Sequence, residues 1–366
     1  MIIKARNVYD GSQLLKNKYV YIKGDKIYNI SNIKPNVKDE IIDVHTLTPA
    51  FIDAHSHIGM EREGEPYQEG ETNEEMDSIL VLGDALDAVY MDDKAFKNSI
   101  EEGVLYSCIL PGSGNIIGGK SVVIRNFSNN VDNAFIKYDG MKMALGYNPR
   151  STKDWKGTRP STRMGVFSIL RNEFLEVKKK KNKLTEKEKI LKDIINGKIR
   201  LRIHVHREDD ARRFLTFATN FNMKFTFEHL GDVYNIEFFK YLKQKHIPIV
   251  YGPLDSFAYK TELKHESKKN INLLLKSGVQ FGLMSDHPVI EQSTLFYTLR
   301  HFLRFGLSKS DAIGILTKRN ARILKLDKLG EIKKGYIASL LGWNGDPFDL
   351  SSQIKVILAE GKLIKS

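Results

Sequence analysis

The sequence predicts an α/β fold, a (β/α)8 TIM-like barrel with a small β-sandwich domain built from both termini. Two observations support this prediction. Between about residues 48 and 330, short apolar runs alternate with helical patterns, and there are eight such runs, the number that a closed barrel needs. Both ends of the chain instead carry short strands separated by turn signals such as Asp10-Gly11 and Asn344-Gly345. We therefore expect residues 1–47 and 331–366 to form the sandwich and residues 48–330 to form the barrel.

The barrel strands are predicted from apolar runs bounded by turn residues. They cover residues 51–57, 104–110, 122–125, 141–145, 201–206, 225–229, 248–251 and 281–286. Helical patterns cover residues 73–89, 93–102, 164–180, 186–196, 209–221, 236–245, 267–276, 295–305 and 309–323. Alternation of this kind indicates a parallel sheet. Segment 111–141 shows no clear helix between the second and third strands, so an inserted hairpin is the alternative there.

The two termini are each too short to bury a core. Their predicted strands cover residues 1–5, 18–23, 26–30 and 40–43 at one end and 338–343, 354–359 and 362–364 at the other. Packing the two ends together would bury one shared apolar face. This is why we expect one small domain from both.

Composition restricts the function classes. The single cysteine, Cys108, excludes an internal disulfide and suits a reducing compartment. No apolar run has the length of a membrane span, and the N-terminal residues lack the apolar core of a signal peptide, so we expect a cytoplasmic protein without a membrane partner. Much of the net charge of +12 lies in the lysine-rich segment 177–189. We interpret this segment as a solvated connection between helices, because no aromatic residues interleave and no nucleic-acid motif is present.

The first predicted barrel strand ends in the pattern His55-Ser-His57. Side chains alternate along a strand, so Asp53, His55 and His57 should point the same way. Two imidazoles on one face of a strand can bind one metal ion. A lone pair of this kind is common in proteins, however, and the placement of further ligands decides the interpretation.

Three more histidines and an aspartate lie at or beside the ends of later strands. They are His204, His206, His229 and Asp286. In a (β/α)8 barrel the reactive groups lie at the carboxyl ends of the strands. The predicted architecture and the predicted ligands therefore support each other, and both favour a metal-dependent hydrolase.

Five segments carry a resemblance to a known family. They are residues 49–57 (PAFIDAHSH), 203–211 (IHVHREDDA), 227–229 (FEH), 283–288 (LMSDHP) and 338–347 (ASLLGWNGDP), the last with Ser339 where an aspartate is usual. Together they resemble the amidohydrolase superfamily of metal-dependent barrel hydrolases, in its imidazolonepropionase- and prolidase-like branch. The resemblance covers nearly the whole chain.

The resemblance implies a ligand set. His55, His57 and Asp286 would bind one divalent ion, and His206 and His229 would complete that site or bind a second ion. His204 shares a face with His206 but is expected to lie deeper, as a core histidine or as support for a ligand. Two-metal relatives often bridge their ions with a carboxylated lysine, and Lys142 is the candidate for that role. The alternative for Lys142 is a lysine paired with a carboxylate.

The expected chemistry follows from these ligands. Zinc is the expected ion, with iron, manganese or cobalt as alternatives, because all accept histidine and aspartate. Asp286 is predicted to carry a proton from the attacking water to the leaving nitrogen, and His229 to bind the metal or the attacked carbonyl oxygen. Substrate contacts are expected from loops after the strands. The candidates are Tyr147, Asn148, Arg163, Tyr251 and His287.

We therefore predict a hydrolase of carbon–nitrogen bonds in a non-peptide or cyclic amide of small size. A prolidase-type metallodipeptidase is the first alternative. Another class, a metal-free structural or nucleic-acid-binding relative, is disfavoured because all five histidine and aspartate ligands are present. We also expect a homo-oligomer.

Overall fold

The computed structural model describes residues 1–34, 41–150, 159–257 and 260–365. These residues form a mixed α/β fold with two sheets. Fifteen strands run as β1 Ile2–Tyr9, β2 Leu14–Lys23, β3 Lys26–Ser31, β4 Ile41–Pro49, β5 Phe51–Ser56, β6 Val104–Ile109, β7 Ile117–Arg125, β8 Phe135–Ala144, β9 Leu201–Val205, β10 Phe225–His229, β11 Ile249–Tyr251, β12 Phe281–Leu283, β13 Leu340–Trp343, β14 Ile354–Ala359 and β15 Lys362–Lys365.

The helices lie mainly between the barrel strands. They run as α1 Lys94–Glu101, α2 Val131–Ala134, α3 Arg163–Lys179, α4 Glu186–Ile195, α5 Glu208–Ala218, α6 Ile236–Gln244, α7 Asn270–Ser277, α8 Arg300–Leu303, α9 Lys309–Gly314 and α10 Asn320–Ile323. A π-helical turn, Ile315–Arg319, joins α9 to α10. Within the described residues, no helix combines the length and the apolar character needed to cross a membrane.

Strands from both termini share one seven-stranded sheet. Its order is β15-β14-β13-β4-β1-β2-β3, and β4 joins the two halves by pairing parallel to β1 and antiparallel to β13. Apolar residues from both ends, including Ile3, Val20 and Leu358, form a separate buried cluster on this sheet. The predicted strand 40–43 begins at Glu40, which is outside the described residues. A sandwich domain with the bounds given above remains a proposal.

The eight predicted barrel runs all form strands of the second sheet. Their order is β12-β11-β10-β9-β8-β7-β6-β5, which follows the sequence. The prediction of an all-parallel barrel is wrong at β7, which pairs antiparallel with both β6 and β8. The connections on either side of β7 hold too few residues for the crossover that parallel neighbours need, so hairpins form instead.

A side chain and backbone hydrogen bonds close the barrel at the seam between β12 and β5. The amide of Asp286 donates to the carbonyl of His55 over 3.1 Å. The Asn320 amide group donates to the carbonyls of Ile52 and Leu283 over 2.6 and 2.9 Å, and the backbone N–H of Leu283 donates to its oxygen over 3.0 Å. One buried asparagine from α10 thus supplies part of the hydrogen bonding that direct pairing of β12 with β5 would otherwise provide.

The predicted helix at residues 73–89 is wrong. This segment contains only a short 3₁₀ turn at Ala85–Ala88 and two isolated bridges to β7, at Ile79 and Asp84. Its backbone hydrogen bonds join it to β7, as from Leu80 N–H to the Ile117 carbonyl, and form short turns, as from Gly83 N–H to the Leu80 carbonyl, so no helical ladder is present. The apolar residues in this segment have helical spacing, but they pack along an irregular chain segment and not along one face of a helix.

Candidate metal centre and active site

The two histidines of β5 and its end lie side by side, as strand alternation predicts. His55 is fully buried and His57 nearly so, and their ring centres lie 5.4 Å apart. The prediction that Asp53 points the same way is wrong, because the strand register shifts between Asp53 and Ser56. The buried Asp53 carboxylate accepts from the Ser285 backbone N–H and from the Gln292 side chain, which also donates to Ser56, the neighbour of His55. Asp53 therefore ties β5 to the segment that carries Asp286.

Asp286 lies three residues beyond the end of β12 and turns back toward β5. Its backbone has a φ of +53°, in the left-handed region, where aspartate is tolerated better than most residues. Its Oδ1 atom lies 3.4 Å from His55 Nε2 and 3.3 Å from His57 Nε2. One carboxylate oxygen is thus shared by both imidazoles.

Three histidines from β9 and β10 form the opposite side of the site. The ring of His229 lies 4.3 Å from that of His204 and 4.6 Å from that of His206, and 5.4 Å from that of His55. The sequence interpretation placed His204 deeper than this group, as a core histidine or as support for a ligand, and His204 pairs in the sheet with Glu228. His204 Nδ1 lies 2.7 Å from His229 Nε2, and its Nε2 atom is buried without a hydrogen-bond partner among the described residues.

The two rings on β9 meet because His206 lies just past the last strand residue, Val205. Strand alternation directs both side chains toward the same face. Their ring centres are 4.8 Å apart. His206 Nδ1 also lacks a partner within the described part of the chain.

Lys142 projects from β8 into the same cluster. It is fully buried, and its Nζ atom lies 3.2 Å from His55 Nε2. Burial lowers the pKa of Lys142 to about 8, in spite of the carboxylates of Asp286 and Glu228. A lysine with a lowered pKa has a larger fraction of neutral amine at pH 7, which is the form that reacts to give a carbamate.

Hydrogen bonds from the Nδ1 atoms of three of these histidines direct their Nε2 atoms toward the centre of the cluster, where His55 Nε2 also lies near Lys142 and His229 Nε2 near His204. His57 Nδ1 lies 2.6 Å from the Leu110 carbonyl, His229 Nδ1 lies 2.9 Å from the Gly252 carbonyl, and His55 Nδ1 lies 3.0 Å from the carboxylate of Glu228. Because carbonyls and carboxylates only accept, each Nδ1 carries the hydrogen, and in a neutral ring Nε2 carries the lone pair.

This arrangement fits a bound cation. The Nε2 lone pairs of His55 and His57 point at the Asp286 carboxylate oxygen, an arrangement that is repulsive with no positive charge between them. A divalent ion held by imidazole nitrogens and a carboxylate removes that repulsion. Among the residues that the structure describes, two sets of three donor groups lie close enough together to bind an ion, namely His55, His229 and Asp286, and His204, His206 and His229.

The electrostatics keep the imidazoles neutral. Burial lowers the pKa of His229 to about 4 and holds the pKa values of His55, His204 and His206 well below their ordinary value. Burial acts to raise the pKa of Asp286, but any proton that the imidazoles of His229, His57 and His55 hold stabilises the ionised carboxylate more, and the pKa lies well below its usual range. Neutral imidazoles beside an ionised carboxylate are the protonation states in which these groups bind metals.

A cavity of about 280 Å³ opens onto these groups. His57, His206 and Asp286 form its floor, and Asn148 and Lys260 lie in its lining. Of the predicted substrate contacts, Asn148 is therefore in position, with its amide donating to Ser113 Oγ over 2.5 Å.

Two predicted substrate contacts lie elsewhere. Arg163 Nε donates to the buried carboxylate of Asp210 over 2.6 Å, outside the lining of this cavity, so the protein itself supplies the anion that we expected from a substrate. Tyr251 is 2% exposed and packs in the main core. The alternation of β11 turns Val250 into the barrel and therefore turns Tyr251 outward.

Tyr147 and His287 flank the site and do not line the cavity. Tyr147 is 44% exposed, and its backbone N–H donates to the Glu262 carboxylate. His287 is buried beside His57, and burial lowers its pKa to about 4. Its Nε2 atom has no hydrogen-bond partner within the described ranges.

The sequence interpretation missed Glu228 and Arg202, which lie below the candidate metal ligands. Both are fully buried, and they form a bidentate ion pair inside the barrel. A signal was present in β10, where Thr226 and Glu228 alternate with Phe225 and Phe227. Polar residues alternating with phenylalanines indicate that the polar side chains face the barrel interior. A buried carboxylate there needs a partner of opposite charge, such as Arg202.

The comparison with known proteins agrees with this geometry. A sequence model of the amidohydrolase family matches residues 181–364. The chain belongs to the amidohydrolase family. It is accordingly an enzyme, an amidohydrolase-type hydrolase acting on carbon–nitrogen bonds.

Two curated proteins show how the chain relates to characterised members. The imidazolonepropionase of Picrophilus torridus is 24% identical over 359 residues, which cover 90% of this chain and 86% of that protein. The amidohydrolase tasK of Hapsidospora irregularis is 23% identical over 349 residues, covering 84% of this chain. The chain spans only 35% of the length of tasK.

Solved structures extend the likeness to the whole fold. An amidohydrolase from Thermotoga maritima is 32% identical, with a TM-score of 0.91 and 99% of each chain covered. A prolidase solved with N-methylphosphonate-L-proline has a TM-score of 0.65 over 100% of each chain, at 16% identity. At that identity, the second likeness shows the shared fold alone.

Proposed function

We propose that this amidohydrolase uses a divalent metal to hydrolyse a carbon–nitrogen bond in a small non-peptide or cyclic amide. The observation that carries the proposal is the convergence of imidazole nitrogens on the Asp286 carboxylate at the carboxyl ends of the barrel strands. His55 Nε2 and His57 Nε2 lie 3.4 and 3.3 Å from its Oδ1 atom. A cytoplasmic homo-oligomer acting on a small molecule is part of the same proposal.

The ligands in this proposal are the five predicted from the sequence, His55, His57, His206, His229 and Asp286, together with His204. Lys142 would join them as a bridging carbamate if two ions bind. Zinc is the expected ion, with iron, manganese or cobalt as alternatives, since each accepts imidazole and carboxylate donors. When bound, such an ion polarises a carbonyl group and lowers the pKa of a coordinated water to about 7.

Asp286 is the proposed proton carrier. Its carboxylate lines the cavity, and nearby imidazoles keep it ionised. It takes a proton from the water as the new carbon–oxygen bond forms, and it delivers that proton to the nitrogen as the carbon–nitrogen bond breaks. The products are a carboxylic acid and an amine, so atoms and charge balance.

His229 holds a fixed position for its part in this reaction. Its Nδ1 atom bonds to the Gly252 carbonyl, which directs Nε2 toward Asp286 and the other imidazoles. In our proposal it binds the metal or the oxygen of the attacked carbonyl. Asn148 and Lys260 in the cavity lining would then contact the rest of the substrate.

The size of the cavity favours a compact substrate. A volume of about 280 Å³ lies just below the usual range for sites that bind drug-sized ligands. The relative named imidazolonepropionase supports a cyclic amide as the first class to test. Prolidase-type dipeptides remain the alternative substrate class.

The test is turnover by metal-loaded protein. Protein freed of metal with a chelator and then reloaded with Zn²⁺, Mn²⁺, Fe²⁺ or Co²⁺ should hydrolyse cyclic amides of the imidazolone type faster than Xaa-Pro dipeptides or N-acyl amino acids. A variant carrying His55→Gln and His57→Gln serves as the metal-deficient control. Equal metal content in the native protein and this variant would refute the ligand assignment. Faster cleavage of Xaa-Pro dipeptides would instead move the substrate class to the prolidase type.

A further inference from the structure

We infer that Glu228 is a positioning residue for the metal centre, acting through His55. The inference rests on the proposed function, because it treats His55 as a ligand. Glu228 lies on β10, one residue before His229, and it is fully buried inside the barrel. It comes from a strand far from β5 in sequence, since Glu228 and His55 are 173 positions apart.

Glu228 and His229 both face the barrel interior, although neighbours on a strand normally point to opposite faces. Glu228 follows the inward pattern set by Thr226. His229 ends the strand with a φ of +73°, which turns its ring back toward the site. The strand end thus supplies one group that joins the metal-binding cluster and one that supports His55.

Every lone-pair direction of the Glu228 carboxylate has a donor. Arg202 Nε donates to Oε1 over 2.7 Å and Arg202 Nη2 donates to Oε2 over 2.9 Å. The Thr226 hydroxyl donates to Oε1, and His55 Nδ1 lies 3.0 Å from Oε2. An ionised carboxylate can only accept hydrogen bonds, so the group facing the remaining lone pair of Oε2 must be a donor. His55 therefore carries its hydrogen on Nδ1.

Arg202 is itself held from several sides. Its guanidinium donates to the carbonyl of Ala54 over 2.7 Å and also pairs with Asp139. Arg202, Glu228 and His55 therefore form a chain of buried hydrogen bonds beneath the metal-binding groups. A carboxylate behind an imidazole fixes the ring orientation and strengthens its Nε2 lone pair as a ligand.

The experiment compares Glu228→Gln with a matched control, Asp139→Asn. Both changes replace a buried carboxylate on Arg202 by an isosteric amide, but only Glu228 touches His55. Metal-free proteins are titrated with Zn²⁺ against a chromogenic chelator. We expect Glu228→Gln to weaken Zn²⁺ binding roughly 10- to 100-fold and Asp139→Asn to leave it within about twofold of the native value.

A second readout follows the ring itself. Nitrogen-15 NMR of histidine-labelled, metal-free protein reports which nitrogen of His55 carries hydrogen, with His55→Gln used to assign the signal. The Nδ1–H form should dominate in the native protein and in Asp139→Asn, and it should lose that dominance in Glu228→Gln. A merely structural role would lower the melting temperatures of both variants and change neither measurement selectively.

The outcomes separate the inference from the proposed function. Equal Zn²⁺ affinity in Glu228→Gln and Asp139→Asn, with tight binding by the native protein, overturns the inference alone. Failure of the native protein to bind metal refutes the proposed function. If Glu228→Gln does not fold, Glu228→Asp keeps the charge opposite Arg202 but withdraws it from His55. Native affinity in that variant would overturn the inference too.

Discussion

Acidification should destabilise the metal-free protein through its buried histidines. Burial lowers the pKa of His229 and of His287 to about 4, against an ordinary value of 6.5 in the unfolded chain. Between these values the unfolded chain binds more protons than the folded one. The stability that these groups contribute is thus fully present above pH 6.5 and is lost as the pH falls toward 4.

The magnitude follows from the same shifts. Between pH 7 and pH 5 each of these two histidines costs the folded state about 2 kcal/mol. Asp53 acts in the opposite direction, because burial raises its pKa to about 6 from 3.8, so the folded state gains a proton first. Between pH 7 and pH 5 this proton stabilises the folded state by about 1 kcal/mol and offsets that much of the loss from the histidines. Two histidine contributions of about 2 kcal/mol each, less the Asp53 gain, leave a net loss of about 2 to 3 kcal/mol. The lowered pKa values of His55 and Asp286 add to this loss with the same sign.

Urea unfolding in the presence of a chelator measures this loss. The free energy of unfolding is determined at pH 7, 6 and 5 from tryptophan fluorescence, which includes the buried Trp343. His287→Gln should reduce the loss between pH 7 and pH 5 by about 2 kcal/mol, since one of the two groups no longer titrates. An unfolding free energy that stays constant or rises toward pH 5 would refute the reasoning.

Three further outcomes are expected. Asp286→Asn should lower kcat about a hundredfold or more in protein whose metal content is measured on the same sample, because the proton carrier is lost; a near-native kcat at full metal occupancy would assign that role elsewhere. Asn320→Ala should lower the free energy of unfolding by about 3 kcal/mol in urea, since backbone groups of Ile52 and Leu283 lose buried partners at the barrel seam; a change below about 1 kcal/mol would show that the seam does not depend on it. Arg163→Ala should leave KM within about twofold while lowering the melting temperature, and a large rise in KM would restore the predicted role in substrate binding.

The sequence determined the positions of the eight barrel strands and the residues at their ends. Apolar runs report strands because burial on both faces demands them, and this signal is local. The sequence also predicted that His55, His57 and Asp286 lie together, since the fold brings the carboxyl ends of its strands together. The direction of β7 needed a further fact, the shortness of its connections, which the spacing of residues 111–141 only suggested.

Only the tertiary structure decided which groups face each other inside the barrel. From the sequence, Arg163 was a candidate to bind a substrate carboxylate, but the fold places the carboxylate of Asp210 beside it. The alternation in β10 indicates that Glu228 faces inward, but only the closed barrel shows that its partners are His55 and Arg202. Periodicity gives the face on which a side chain lies, whereas its partner depends on strand register and barrel closure across long stretches of chain.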